Sequence, residues 1–142
     1  MEQRSAEARP GRPAGPTVGS VRVLVVDDQR PFRAAAEAVI SRMPGWEVAG
    51  VAETGEEAVT VAAGLLPDLV LMDVNLPGID GAEAAARVLE VAPRALTVLC
   101  STYRAEDLRI DTAGAGIAGY LHKEELGGPV LRELWNRINP AA

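Results

Sequence analysis

Several apolar runs in this 142-residue chain end in side chains that carry oxygen or charge. Val21-Arg22-Val23-Leu24-Val25-Val26 runs into Asp27-Asp28, Leu69-Val70-Leu71-Met72 into Asp73, and Ala95-Leu96-Thr97-Val98-Leu99-Cys100 into Ser101. A weaker run, Gly119 to His122, ends at Lys123, the only lysine among 14 basic residues. Carboxylates gathered at one edge repel one another, and a cation is needed if all are to stay ionised. A hard divalent ion, magnesium or manganese, suits such oxygen ligands and keeps positions open for phosphate oxygens. The Ser101 hydroxyl and the Lys123 ammonium could hold other oxygens of the same phosphoryl group. Asp73 would then be the nucleophile, forming an acyl phosphate.

Each of these residues has a plainer reading when taken alone. Asp27-Asp28 before Pro31 could cap a helix, Asp73 could be a turn residue before Pro77-Gly78, Ser101 a helix cap and Lys123 a solvated charge. The joint pattern argues for a site, because strands of a parallel sheet point the same way and ligands bind beyond their carboxyl ends.

The elements that would position these residues alternate. The apolar runs are nearly continuous, as in strands buried on both faces. Trp46 to Val51 and Gly119 to His122 are weaker and fit strands nearer a sheet edge. Phe32, Ala35, Ala36, Val39, Ile40 and Met43 recur at helical spacing behind Pro31, giving a first helix. Thr54-Gly55-Glu56-Glu57 has the form of a capping box and opens a second, which should stop near Gly64 and Pro67. A third spans Gly81 to Val91 before Pro93, a fourth runs approximately from Arg104 to Ala113, and a fifth spans Pro129 to Ile138. The result is a βα unit repeated five times, an α/β domain with a parallel sheet. Residues 1–20, rich in proline and glycine, are read as a flexible tail and residues 21–139 as the folded unit.

Composition excludes other classes. A net charge of −6 is the wrong sign for a protein that grips a phosphate backbone directly. The lone Cys100 cannot form an internal disulfide, the opening residues lack a secretory apolar core, and no apolar run could span a bilayer. A cytoplasmic location is expected.

The sequence resembles the receiver domain of bacterial response regulators over about residues 21–139. The resemblance rests on Val25-Val26-Asp27-Asp28, on Asp73-Val74-Asn75-Leu76-Pro77-Gly78-Ile79-Asp80-Gly81, on Ser101, and on Gly119-Tyr120-Leu121-His122-Lys123. It implies a flavodoxin-like, doubly wound (βα)5 fold with strand order 2-1-3-4-5 and helices on both faces. It also implies that Asp73 accepts a phosphoryl group from a sensor histidine kinase or phosphotransfer protein. Asp28 would bind the metal directly, Asp27 largely through water, and the Asn75 main-chain carbonyl would complete the protein ligands. Ser101 and Tyr120 would act as the switch, reshaping the surface of helix four, strand five and helix five for a downstream protein partner. The chain would act as a monomer or as a phosphorylation-dependent homodimer. Glu124 stands where many members of the family place proline, and Ser101 where threonine is commoner.

Remaining signals read as structural. Gly114-Ala115-Gly116-Ile117-Ala118-Gly119 matches G-x-G-x-x-G, but it follows a helix and precedes a strand, the reverse of a dinucleotide fingerprint. Cys100, Met72 and Trp135 are expected in the core, and His122 at the surface. Two rival functions remain open. A phosphohydrolase with an aspartyl intermediate would want an acid where Asn75 stands, and a fragment of a DNA-binding regulator would continue into an output domain.

Overall fold

The computed structural model describes residues 20–103 and 116–139. The expected fourth helix and the expected N-terminal tail lie outside the described residues, apart from Ser20. The chain runs β1 (Val21–Val26), α1 (Arg30–Ser41), β2 (Trp46–Ala52), α2 (Gly55–Leu65), β3 (Leu69–Asp73), α3 (Gly81–Val91), β4 (Leu96–Ser101) and β5 (Ile117–His122). A 3-10 turn (Lys123–Glu125) and α4 (Gly128–Ile138) follow; α4 is the fifth of the expected helices. All pairings are parallel and the strand order is β2-β1-β3-β4-β5, as the resemblance implied. The two weaker runs lie at the two edges.

Alternation within the strands divides the core in two. Leu24, Val26, Val70, Met72 and Leu99 face α2 and α3, whereas Val23, Val25, Leu69, Leu71 and Cys100 join α1 and α4 on the other side. Every residue of β3 is buried, which accounts for its uninterrupted apolar run. Each fully buried Leu or Val contributes roughly 1.5–3 kcal/mol, so the sheet interior is the rigid part on which the strand ends are mounted. Trp135 packs edge-on against Trp46, with ring centroids 6.3 Å apart, and both rings lie half-buried against the α1/α4 side of the core.

Helix boundaries follow local chemistry. Thr54 Oγ1 accepts the Glu57 N–H, while Glu57 reaches back to the Glu53 N–H, closing the capping box one residue further out than the usual pattern. Asp80 caps α3 by accepting the Glu83 N–H. The second helix ends at Leu65, between Gly64 and Pro67 as expected, and its C-cap Leu66 is left-handed (φ 50°). The strain of a branched residue there is offset by Arg22, whose guanidinium donates to the Leu65 and Leu66 carbonyls at 2.8 and 3.1 Å. Asp27-Asp28 does not cap α1; Gln29 occupies that position without a side-chain bond.

Two glycines permit close approaches, Gly55 between α2 and the start of α3, and Gly81 between α3 and the end of β3. A Cβ at Gly55 would meet Ile79 Cγ1 at 2.6 Å, and one at Gly81 would press on the main-chain carbonyl oxygen of Asp73. Gly81→Ala must therefore displace either α3 or the end of β3. Denaturant unfolding is expected to show a loss of about 1–3 kcal/mol, and an unchanged midpoint would refute that packing account.

Candidate functional site

Asp27 follows the last residue of β1 and is fully buried. Every polar atom of it has a protein partner. Its N–H donates to the Ala52 carbonyl at 3.0 Å and its own carbonyl accepts from Arg33 Nη1 at 2.7 Å. Oδ1 accepts the Gln29 N–H at 2.8 Å, and Oδ2 accepts from Lys123 Nζ at 2.6 Å. The neighbouring Asp28 is exposed. Asp73, at the end of β3, is 6% exposed, and its Oδ1 lies 3.3 Å from Lys123 Nζ and 3.4 Å from the Asn75 N–H. Carboxylate oxygens of Asp27, Asp28 and Asp73 lie within 4.8 Å of one another.

These distances explain the electrostatics. Burial raises the pKa of Asp73, and the charge of Asp27 raises it further, outweighing Lys123 and the Asn75 N–H. Burial disfavours the Lys123 ammonium, but the hydrogen bond to Asp27 and the charges of both aspartates prevail, so its pKa is also raised. A single ammonium thus serves two buried carboxylates while a third waits at the rim. Such a group of hard oxygen donors, one of them open to solvent, fits a divalent cation of the magnesium type. Those ligand candidates were legible in the sequence, and the sheet brings them together.

The other expected residues fall around this centre. Ser101 ends β4, is 4% exposed, and lies opposite His122 in the strand register. Its hydroxyl accepts the Tyr103 N–H at 2.9 Å, and the Tyr103 side chain is exposed. Asn75 is exposed beyond β3. Tyr120 is half-buried opposite Leu99 and packed on the α2/α3 side of the core. Its groove partners include Val130, Glu133 and Arg137 of α4.

Three features were not foreseen. Lys123 Nζ lies 4.7 Å from the centre of the Phe32 ring, which the periodicity had assigned to the core stripe of α1. Arg33, with a side chain 14% exposed, grips the Asp27 carbonyl and pairs with Glu53 at 3.7 Å. His122 is half-buried, not exposed as expected, and its Nδ1 accepts the Glu124 N–H at 3.2 Å and so caps the 3-10 turn. A proline at position 124 would lack that donor. Cys100 is a core residue as expected, and burial pushes its thiol pKa up, away from thiolate chemistry. Gly119 lies inside β5, which removes the dinucleotide reading of the glycine motif.

The electrostatics predict a stabilising substitution. A carboxyl whose folded pKa is raised favours folding in its protonated form, a contribution present below about pH 3.8 and lost as pH rises through the folded value. Asp73→Asn should therefore raise the melting temperature in metal-free buffer at neutral pH, and the advantage should shrink as the pH falls. Thermal unfolding across pH checks this. A less stable Asn variant at neutral pH would show that the Lys123 pair dominates instead.

Comparison with known proteins agrees with this geometry. The chain is 38% identical to the response regulator GacA of Pseudomonas viridiflava over 103 residues, which cover 72% of this chain and 48% of that protein. It is 34% identical to the chemotaxis protein CheY of Thermotoga maritima, over 72% of this chain and 84% of that one. The chain thus spans about half the length of its GacA relatives. Among solved structures, the signal receiver domain of NarL from Mycobacterium tuberculosis superposes with a TM-score of 0.76 at 28% identity, covering 85% of this chain and 98% of that one. The response regulator domain of Thermotoga maritima CheB gives 0.70 at 29% identity, covering 86% of this chain and 96% of that one. Residues 23–133 match the family model of the response regulator receiver domain, and the chain belongs to that family.

Proposed function

We propose that residues 21–139 form a phospho-accepting receiver that takes a phosphoryl group onto Asp73 from a histidine kinase or phosphotransfer protein. The observation that carries this reading is the grouping of Asp27, Asp28 and Asp73 within 4.8 Å, with Lys123 bonded to two of them. An Asp73 carboxylate oxygen attacks phosphorus. The phosphorus–nitrogen bond of a phosphohistidine donor breaks, and its electron pair leaves with the imidazole nitrogen. The product is an acyl phosphate.

Asp28 would ligate a magnesium or manganese ion directly, Asp27 largely through water, and Asp73 and the Asn75 carbonyl would complete the protein ligands. Bound there, the ion would offset negative charge on the transferring oxygens. Lys123 holds one phosphoryl oxygen by charge and hydrogen bond, and Ser101 holds another once its hydroxyl leaves the Tyr103 N–H. Positioning and charge neutralisation supply most of the rate in such transfers. Tyr120, in the groove between β5 and α4, is suited to carry the change to the surface where a downstream protein binds.

The chain acts as a switch and performs only its own phosphorylation and dephosphorylation. Asn75 replaces the acid that an aspartyl-intermediate phosphohydrolase would use. The lone buried thiol suits the reducing cytoplasm, and among the described residues no helix is long and apolar enough to cross a membrane. Assembly would be monomeric or a dimer formed on phosphorylation. A second reading, in which this receiver is part of a longer transcriptional regulator, is favoured by its covering only 48% of GacA and 44% of the transcriptional regulatory protein DegU from Brevibacillus brevis.

Incubation with magnesium and a small acyl-phosphate donor should add one phosphoryl group, seen by intact mass, and Asp73→Asn should abolish it. Lys123→Ala should slow the transfer by roughly 10²–10³-fold, the usual cost of removing a preorganised charge-stabilising donor. An unmodified mass with Asp73 intact would overturn the assignment.

A further inference from the structure

Lys123 has two oxygen partners, but its remaining surroundings matter as much. Its side chain is 11% exposed, so the ammonium is largely stripped of water. Asp27 Oδ2 and Asp73 Oδ1, at 2.6 and 3.3 Å, lie on one side. The Phe32 ring lies on another, its centre 4.7 Å from Nζ, well inside the roughly 6 Å within which a cation is drawn to an aromatic face. Phe32 stands in the first turn of α1, directly after the loop that carries Asp27 and Asp28.

We propose that Phe32 is a positioning residue for Lys123, its ring face holding the ammonium against the paired carboxylates. The inference rests on the phospho-acceptor reading for its functional consequence. A water or a third carboxylate beside the ammonium would use one of its N–H donors. A ring face attracts the charge without taking a strong directional bond, so a donor stays free for the phosphoryl oxygen. It also closes the apolar side of the site, since Phe32 packs with the α1/α4 half of the core. An aliphatic residue could fill that volume and would leave the charge unpartnered on that side. A purely structural Phe32 would contribute through its shape and apolar surface alone, and that difference is measurable.

Phe32 is the sole phenylalanine of the chain, so growth on fluorinated phenylalanine alters position 32 alone. Fluorine drains the negative ring face with little change of shape. A series from mono- to trifluorophenylalanine is compared in the parent chain and in Lys123→Met, reading thermal unfolding in both and phosphorylation by a small acyl-phosphate donor in the parent. The melting temperature is expected to fall stepwise with fluorine number in the parent and to show no such fall in Lys123→Met. The phosphorylation rate should drop by roughly threefold to tenfold across the series, and Phe32→Leu should fall in the same range. The same melting trend in both backgrounds, or no trend in either, would overturn the proposal. If the unsubstituted chain takes no phosphoryl group, the phospho-acceptor reading fails, while the two melting series still decide whether Phe32 holds Lys123.

Discussion

Two buried carboxylates sharing one ammonium is the constraint on which the site depends. Asp27 and Asp73 stand at the ends of neighbouring strands, and their charges would drive the strand ends apart if Lys123 did not reach both. The lysine comes from beyond β5, at the far edge of the sheet, so this one contact ties the first strand to the last. It leaves the cluster short of positive charge. Burial first, and then the neighbouring charge of Asp27, raise the pKa of Asp73, and Asp28 adds a further carboxylate at the rim. The fold thus holds three carboxylates against one ammonium, a grouping that could hold a metal ion and a common condition where stability and function compete.

The rest of the scaffold limits how that tension can relax. Asp27 cannot turn away, because its main chain is held by Ala52 and Arg33 and its side chain by Gln29 and Lys123. The end of β3 has little room to slide toward α3, because the gap at Gly81 would not admit even a Cβ beside the Asp73 carbonyl. Beside the ammonium, the centre of the Phe32 ring lies 4.7 Å from Nζ. Rigid strands thus supply the precision, with the Ser101 hydroxyl accepting the Tyr103 N–H and Tyr120 lining the groove beside α4.

Much of this was legible in the sequence, and particular residues show why the remainder was not. The bounds of α3 could be read because Asp80 caps it and Pro93 follows it. Asp27, Asp28, Asp73, Ser101 and Lys123 stood out because each is a polar residue directly after an apolar run, and parallel strands carry such positions to one edge. The start of β5 at Ile117 was missed because Ala118 and Gly119 dilute its apolar signal. The contact of Phe32 with Lys123 depends on strand order and on the pitch of α1, and periodicity alone gave the ring an ordinary core role. His122 was placed at the surface because no metal-binding partner accompanies it, yet its partner is the main-chain N–H two residues on, a bond that residue type does not reveal.

Uptake of a divalent ion by the carboxylate cluster of the folded protein, before any phosphoryl group is present, is the central requirement of the site. Calorimetric titration of magnesium into chelator-stripped protein at neutral pH measures this directly. Saturable binding of one ion per chain, weakened or lost in Asp28→Asn, is the predicted result. Absence of saturable binding, or binding that Asp28→Asn leaves unchanged, would contradict it.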